Sequence, residues 1–363
     1  MFEALHLTTQ GSVSFRRHDE PERFNGYHDY VSRLSDALKQ LWNNATDVRR
    51  ARPMRAVATA SRGYDSPTVV ALTQPIVQKP MVTWSSPRSN TRIPAVVQRL
   101  MKSELSYDDG SEIARHLGAE PRQLNLDSQQ ISAEMEAWCW ASSQTSPELL
   151  FHSLLSEADA HDEPTILFGG HMGDSVWGTD LAGTRLNGEL IRGAPSAVSL
   201  NEARTRYGIV ECSPAYLFGR SVEEIYRITM SDEMAPWRLG NGYDRPICRR
   251  ILEERGVPRE AFGWGKKAVV QDVESPQGHD LRALFLARSK WNSATEALYR
   301  DLNLGLYVGS RLRVFVQQRG SRAGMMLKVG SSQAKRRLAR WVDLQRSTFL
   351  LTTSWLAERY SPS

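Results

Sequence analysis

Six consecutive residues, Ser61-Arg62-Gly63-Tyr64-Asp65-Ser66, separate a short apolar run, Ala56-Val57-Ala58-Thr59-Ala60, from a helix-forming stretch that begins at Pro67. Small hydroxyls, a glycine and the unpaired amides of a new helix suit the oxygens of a nucleotide phosphate. Asp65 does not suit an anion alone. A carboxylate beside phosphates is repulsive unless a cation lies between, so the segment reads as a cradle for a magnesium-bound nucleotide. Ser61, Gly63 and Ser66 are the candidate phosphate contacts, with Tyr64 between them, and Arg62 can add a charge-assisted bond or face solvent.

A second glycine-bearing segment, Gly169-Gly170-His171-Met172-Gly173-Asp174-Ser175-Val176-Trp177-Gly178, follows another apolar run, Thr165-Ile166-Leu167-Phe168. Gly169 and Gly170 permit close backbone approach to a ligand, and Asp174 supplies a second carboxylate. Placed at the ends of parallel strands, Asp65 and Asp174 could share one magnesium ion, a hard cation that takes oxygen ligands. His171 could act as a general base or be a hydrogen-bonded structural histidine. Trp84 and Ser85, after a further apolar run, could border an adenine or belong to the core.

The elements that must position these residues follow from periodicity. Tyr30, Leu34, Leu38 and Leu41 repeat at helical spacing, and Pro53 closes the basic connector that follows. Strands are predicted near 56–60, 81–84, 123–126 and 164–168. A short helix is predicted over 108–118, capped by Asp109 or Ser111 and stopped by Gly118. Alternating strand and helix predicts an α/β fold with a doubly wound, mainly parallel sheet, whose ligands bind beyond the carboxyl ends of the strands. The predicted division is an N-terminal helical extension (1–52), a nucleotide domain (53–290) and a basic helical C-terminal region (291–363).

Composition sets limits on the class. Hydrophobic residues make up 40% and charged residues 24% of the 363, as in a globular chain, and no apolar stretch reaches the roughly 18 residues a membrane helix requires. Cys139, Cys212 and Cys248 lie far apart with no Cys-x-x-Cys pair, which argues against a disulfide framework or a zinc site and fits a reducing cytoplasm. The net charge of +5 is uneven. Between Arg311 and Arg346 ten Lys/Arg stand against one acid, so that stretch carries +9 and the remainder −4. The nucleotide region is therefore not basic, and nucleic acid is not the expected partner. The basic tail reads as a helix packed on its own domain, with an anionic surface as the alternative.

The first segment lacks the Gly-Lys-Ser/Thr ending of a Walker A loop and the glycine spacing of a Rossmann fingerprint. It resembles instead the PP-loop of ATP pyrophosphatases, Ser-Gly-Gly-x-Asp-Ser, with Arg62 at the second position. The order of motifs along 54–270 is similar to the synthetase domain of asparagine synthetase and its relatives, the β-lactam synthetases among them. In the second loop Gly170, Asp174, the apolar pair Val176-Trp177 and Gly178 match that family, whereas His171 and Ser175 stand where it has glutamates. Lys266 falls at the family's lysine spacing after Pro258, and Tyr243-Asp244-Arg245-Pro246-Ile247 is similar to its Arg-x-Pro-Phe-Leu-Asp segment.

The resemblance implies ATP and Mg2+ as cofactors and a Lys266 that reaches the phosphates and the acyl intermediate. It implies adenylation of a small-molecule carboxylate, with release of pyrophosphate, for attack by ammonia or an amine. Phe2 stands where the family's glutaminase nucleophile would be, so no glutaminase activity is expected in this chain. Nitrogen would come from ammonia, the substrate's own amine, or a separate amidotransferase or carrier protein. A PP-loop enzyme that modifies tRNA and a catalytically weakened ATP-binding protein remain as alternatives.

Overall fold

A computed structural model describes residues 3–7, 13–17, 21–77, 81–83, 110–124, 131–141, 149, 151–161, 163–181, 202–240, 243–263, 278–288, 351 and 354–360. The framework is a five-stranded parallel sheet in the order β5-β4-β3-β6-β7. Its strands are β3 (Arg55–Ala60), β4 (Met81–Thr83), β5 (Arg122–Leu124), β6 (Thr165–Phe168) and β7 (Ile209–Cys212). The chain leaves the centre of the sheet through β4 and β5, then returns to the other side of β3 as β6 and β7. Such an order opens a crevice where the direction reverses, here between β3 and β6.

Central strands of this kind are covered on both faces and read as nearly continuous apolar runs. All four residues of β6 are buried, and alternate residues of β3 and β6 enter two separate cores. Ala58, Ala60, Ile166 and Phe168 face the larger one, which is built from α1 (Tyr27–Ala45), α2 (Asp65–Thr73) and later helices. Val57 and Leu167 face the other, with Met135 and Cys139 of one helix (Ala133–Ala141) and Leu154 and Leu155 of the next (His152–His161). Helix α1 buries Tyr27, Tyr30, Leu34 and Leu38 along one side, the face its spacing predicts. Each buried leucine there is worth about 1.5–3 kcal/mol.

Helix α2 is buried on every side from Pro67 to Thr73, as its unbroken apolar sequence requires. Pro67 lies in the first turn, where its missing N–H is not needed. The buried hydroxyls of Thr68 and Thr73 donate to the carbonyls of Tyr64 and Val69, each at 2.7 Å, so neither leaves a polar group unsatisfied.

The expected strands and the helix Ser111–His116 are present, the latter without a side-chain cap and closed by Gly118 in a left-handed turn. Two features differ from the sequence reading. Ahead of α1, β1 (Glu3–Leu7) and β2 (Val13–Arg17) pair antiparallel in a region expected to be helical. On the sheet, β7 is an additional edge strand, with Val210 half exposed. No helix among the described residues is long and apolar enough to cross a membrane.

Candidate nucleotide site

The two glycine-bearing segments meet. Parallel pairing of β3 with β6 in the register Ala58↔Phe168 sends both out of the carboxyl edge of the sheet side by side. Their contact is so close that only glycine fits. A Cβ on Gly170 would lie 2.5 Å from the Ser66 amide nitrogen and 2.7 Å from its hydroxyl oxygen, and one on Gly173 would lie 2.5 Å from the Asp65 carboxyl carbon. Asp174 is therefore next in sequence to a residue that touches Asp65, and the two carboxylates expected to share a metal belong to adjoining loops.

Within the first loop the Ser61 hydroxyl accepts the Gly63 amide at 3.3 Å, while Arg62 reaches outward to Glu112 at 2.9 Å. Asp65 opens α2 as its first residue. Tyr64 was expected to line the ligand, but its side chain is completely buried. Its hydroxyl accepts a 2.6 Å bond from Arg249, and its ring packs against Tyr243 and Phe262. Only the backbone of Tyr64 is left to serve a phosphate, since its side chain instead fastens the loop to α3 (Pro246–Glu254).

The second loop is held as firmly. The Gly169 amide donates to Cys212 of β7 at 3.1 Å, and the His171 carbonyl accepts the Ser213 hydroxyl. Met172 adopts φ 66°, a left-handed conformation unusual for a residue with a side chain, and this turns the chain into the short helix Gly173–Val176. Buried Trp177 ends that helix and donates to Tyr30 of α1 at 2.8 Å. The Nε2 atom of His171 is buried. Asp174 is partly buried and lies 3.4 Å from the Ser175 hydroxyl. Trp84, Ser85, Lys266 and the basic stretch Arg311–Arg346 lie outside the described residues. The chain leading toward Lys266 is tied to the first loop by Gly263, whose amide donates to the Arg62 carbonyl at 3.1 Å.

Three residues at this site were not named from the sequence as ligands. Arg245, the residue before α3, forms an ion pair with Asp65; its side chain is 6% exposed and that of Asp65 21%. Burial is the largest single influence on the Arg245 guanidinium and works against its charge, but the Asp65 charge and hydrogen bond, with Cys248 and Tyr243, together hold the group charged beyond its ordinary range. Tyr243 packs against Gly63 and Tyr64, and burial, followed by the Asp65 charge, raises its phenol well above its ordinary value. Arg249 is fully buried between Tyr64 and Phe262. A contact such as Asp65 to Arg245 spans 180 residues and leaves no periodic trace, although the Arg-Pro pair that starts a helix was visible.

Cys248 is pushed upward by burial and by Asp65, and Cys212 to about 12 by burial and by Glu211.

No family model matches the chain, and no curated protein does so either.

A magnesium ion fits the donors that are present. Asp65 and Asp174 offer hard oxygen donors on touching loops, and Mg2+ is ordinarily held by one or two carboxylates together with substrate phosphates. No cluster of three or more His, Cys, Asp or Glu occurs among the described residues, so the phosphates would have to complete the coordination.

Proposed function

We propose that the protein is an ATP-dependent carbon-nitrogen ligase of the PP-loop type, with a doubly wound sheet, which adenylates a carboxylate for attack by ammonia or an amine. The observation that carries this reading is the direct apposition of Ser66 and Asp65 with Gly170 and Gly173 at the reversal point of a parallel sheet. Motif resemblance and strand order thus point to one crevice.

In the reaction, a carboxylate oxygen attacks the α-phosphorus of ATP, the bond to the bridging oxygen breaks, and pyrophosphate leaves with that electron pair. The amine then attacks the acyl carbon and expels AMP. Aligning the carboxylate with the phosphorus is the main task of the protein, and rigid placement of this kind is worth several powers of ten in rate. The hydroxyls of Ser61 and Ser66, with amides of the first loop and of Gly170, orient the phosphates. Asp65 and Asp174 would hold the magnesium ion, which neutralises charge on the leaving pyrophosphate when bound. Lys266 is assigned to the phosphates through the resemblance, and His171 to the proton released by the amine as an imidazole general base.

The test is pyrophosphate and AMP release from ATP and Mg2+ over a panel of carboxylates and amines. Carboxylate-dependent release of both products is expected. Binding of ATP with no turnover on any pair would support a nucleotide-binding protein instead, and tight, salt-dependent tRNA binding would support an RNA-modifying enzyme.

A further inference from the structure

The segment 243–245 lies over the first loop and contacts it with two groups of opposite character. The Tyr243 hydroxyl oxygen sits 3.1 Å from the position a Cβ on Gly63 would take, and the Tyr64 amide is directed at that same oxygen. Two residues later, Arg245 places its guanidinium on the Asp65 carboxylate. An oxygen acceptor thus rests on one loop amide expected to receive a phosphate, that of Tyr64, and a cation rests on the carboxylate expected to receive a metal. The two are stacked, with the Arg245 guanidinium 5.1 Å from the centre of the Tyr243 ring.

We propose that Tyr243 and Arg245 are an internal stand-in for magnesium pyrophosphate, which occupies the loop of the empty protein and is displaced when the nucleotide binds. This rests on the ATP reading above. The stand-in accounts for two otherwise unfavourable features. A partly buried carboxylate is costly without a cation, and a loop amide turned from water is costly without an acceptor. Arg245 and Tyr243 satisfy both while the ligand is absent.

The segment is anchored on both sides of its loop contacts. On its N-terminal side the Asp244 carboxylate accepts the amides of Leu239 and Gly240 at 2.6 and 2.9 Å, and on its other side Pro246 begins α3. Asp244 therefore provides a fixed pivot, while the side chains on either side of it bear on the loop. The Asp244 carbonyl also accepts the Thr179 amide, just beyond the second loop, at 3.2 Å. Displacement of Tyr243 and Arg245 can thus be felt at both halves of the site.

The proposal predicts an unusual sign. Removing the stand-in should strengthen ligand binding, whereas removing an ordinary structural or ligand-contacting residue would weaken it or leave it unchanged. Full-length wild type, Tyr243→Phe and Arg245→Gln would be titrated calorimetrically with a non-hydrolysable magnesium ATP analogue and, separately, with adenosine. Tyr243→Phe removes a single oxygen and is expected to bind the analogue about fivefold tighter, the equivalent of one net hydrogen bond, with adenosine affinity unchanged. Arg245→Gln is expected to reach half-saturation at a lower Mn2+ concentration with inorganic pyrophosphate. Should Arg245→Gln fail to fold, Tyr243→Phe decides the matter. Unchanged or weaker analogue binding by a folded Tyr243→Phe overturns the stand-in but leaves the ATP reading intact. Failure of the wild type to bind either the analogue or pyrophosphate overturns the ATP reading, and the stand-in with it.

Discussion

Replacing Gly173 by alanine tests the contact on which the site depends. The added Cβ would lie 2.5 Å from both the carboxyl carbon and Oδ1 of Asp65, and 2.8 Å from its Cβ. Non-bonded carbons rest about 3.5–4.0 Å apart, so one loop must retreat by roughly 1 Å. Asp65 cannot swing aside cheaply. It heads a helix buried on all sides and is paired with an arginine that is itself buried. Overpacking of this sort costs about 1–3 kcal/mol, which for a chain of this size lowers the melting temperature by about 1–4 °C.

The functional effect should be larger than the loss of stability. A displacement of about 1 Å in a catalytic constellation can cost about 100-fold in rate. The assay is carboxylate-dependent pyrophosphate release at a temperature where both proteins are folded, with thermal unfolding measured in parallel. Gly118→Ala is the control: its φ of +72° strains any side chain, yet nothing lies within 4 Å of the new Cβ and the site is not involved. It should lower stability without a selective loss of activity. A Gly173→Ala protein with wild-type melting and wild-type turnover would refute the reasoning.

Two further outcomes follow from the same geometry. Trp177→Phe deletes the 2.8 Å bond to the buried Tyr30 hydroxyl and should cost about 1–3 kcal/mol in urea unfolding; because Trp177 ends the helix that carries Asp174, it should also weaken nucleotide binding. Tyr27, Tyr30, Tyr207 and Tyr243 are all raised above the ordinary phenol value of 10.0, burial being the first cause in each case. The folded protein therefore holds protons that the unfolded chain has released. The stability these groups contribute is complete below about pH 10 and is lost as pH rises through the folded values. Absorbance titration of tyrosinate should show these four phenols silent at pH 10–11 and ionising together with unfolding; ionisation of all eleven tyrosines near pH 10 in the folded protein would contradict this.

Much of the frame was legible because parallel strands and amphipathic helices leave strong local patterns. β3 and β6 are apolar runs that stop abruptly at small and polar residues, and Tyr30, Leu34 and Leu38 mark the buried side of α1. β7 was not legible, since Glu211 interrupts four residues of which Val210 is half exposed, and an edge strand of that length has little period. β1 and β2 are equally short, and each is defined by its partner rather than by its own pattern. At the site, small residues at strand ends announced the two loops. The burial of Tyr64 did not show, because an aromatic within a polar motif reads equally as ligand or core. The Arg245 pair with Asp65 and the Arg249 bond to Tyr64 are tertiary contacts and carry no local signal.

The central claim is that the loops 61–66 and 169–174 together hold magnesium and the phosphates of ATP. Electron paramagnetic resonance of Mn2+ with a non-hydrolysable ATP analogue measures this directly in wild type, Asp65→Asn and Asp174→Asn. The account predicts about one Mn2+-nucleotide complex per wild-type chain, weakened at least about tenfold in each variant, as the loss of one charged ligand to a metal-phosphate complex requires. Wild type that binds no Mn2+-nucleotide, or variants that both bind it as wild type does, would contradict it.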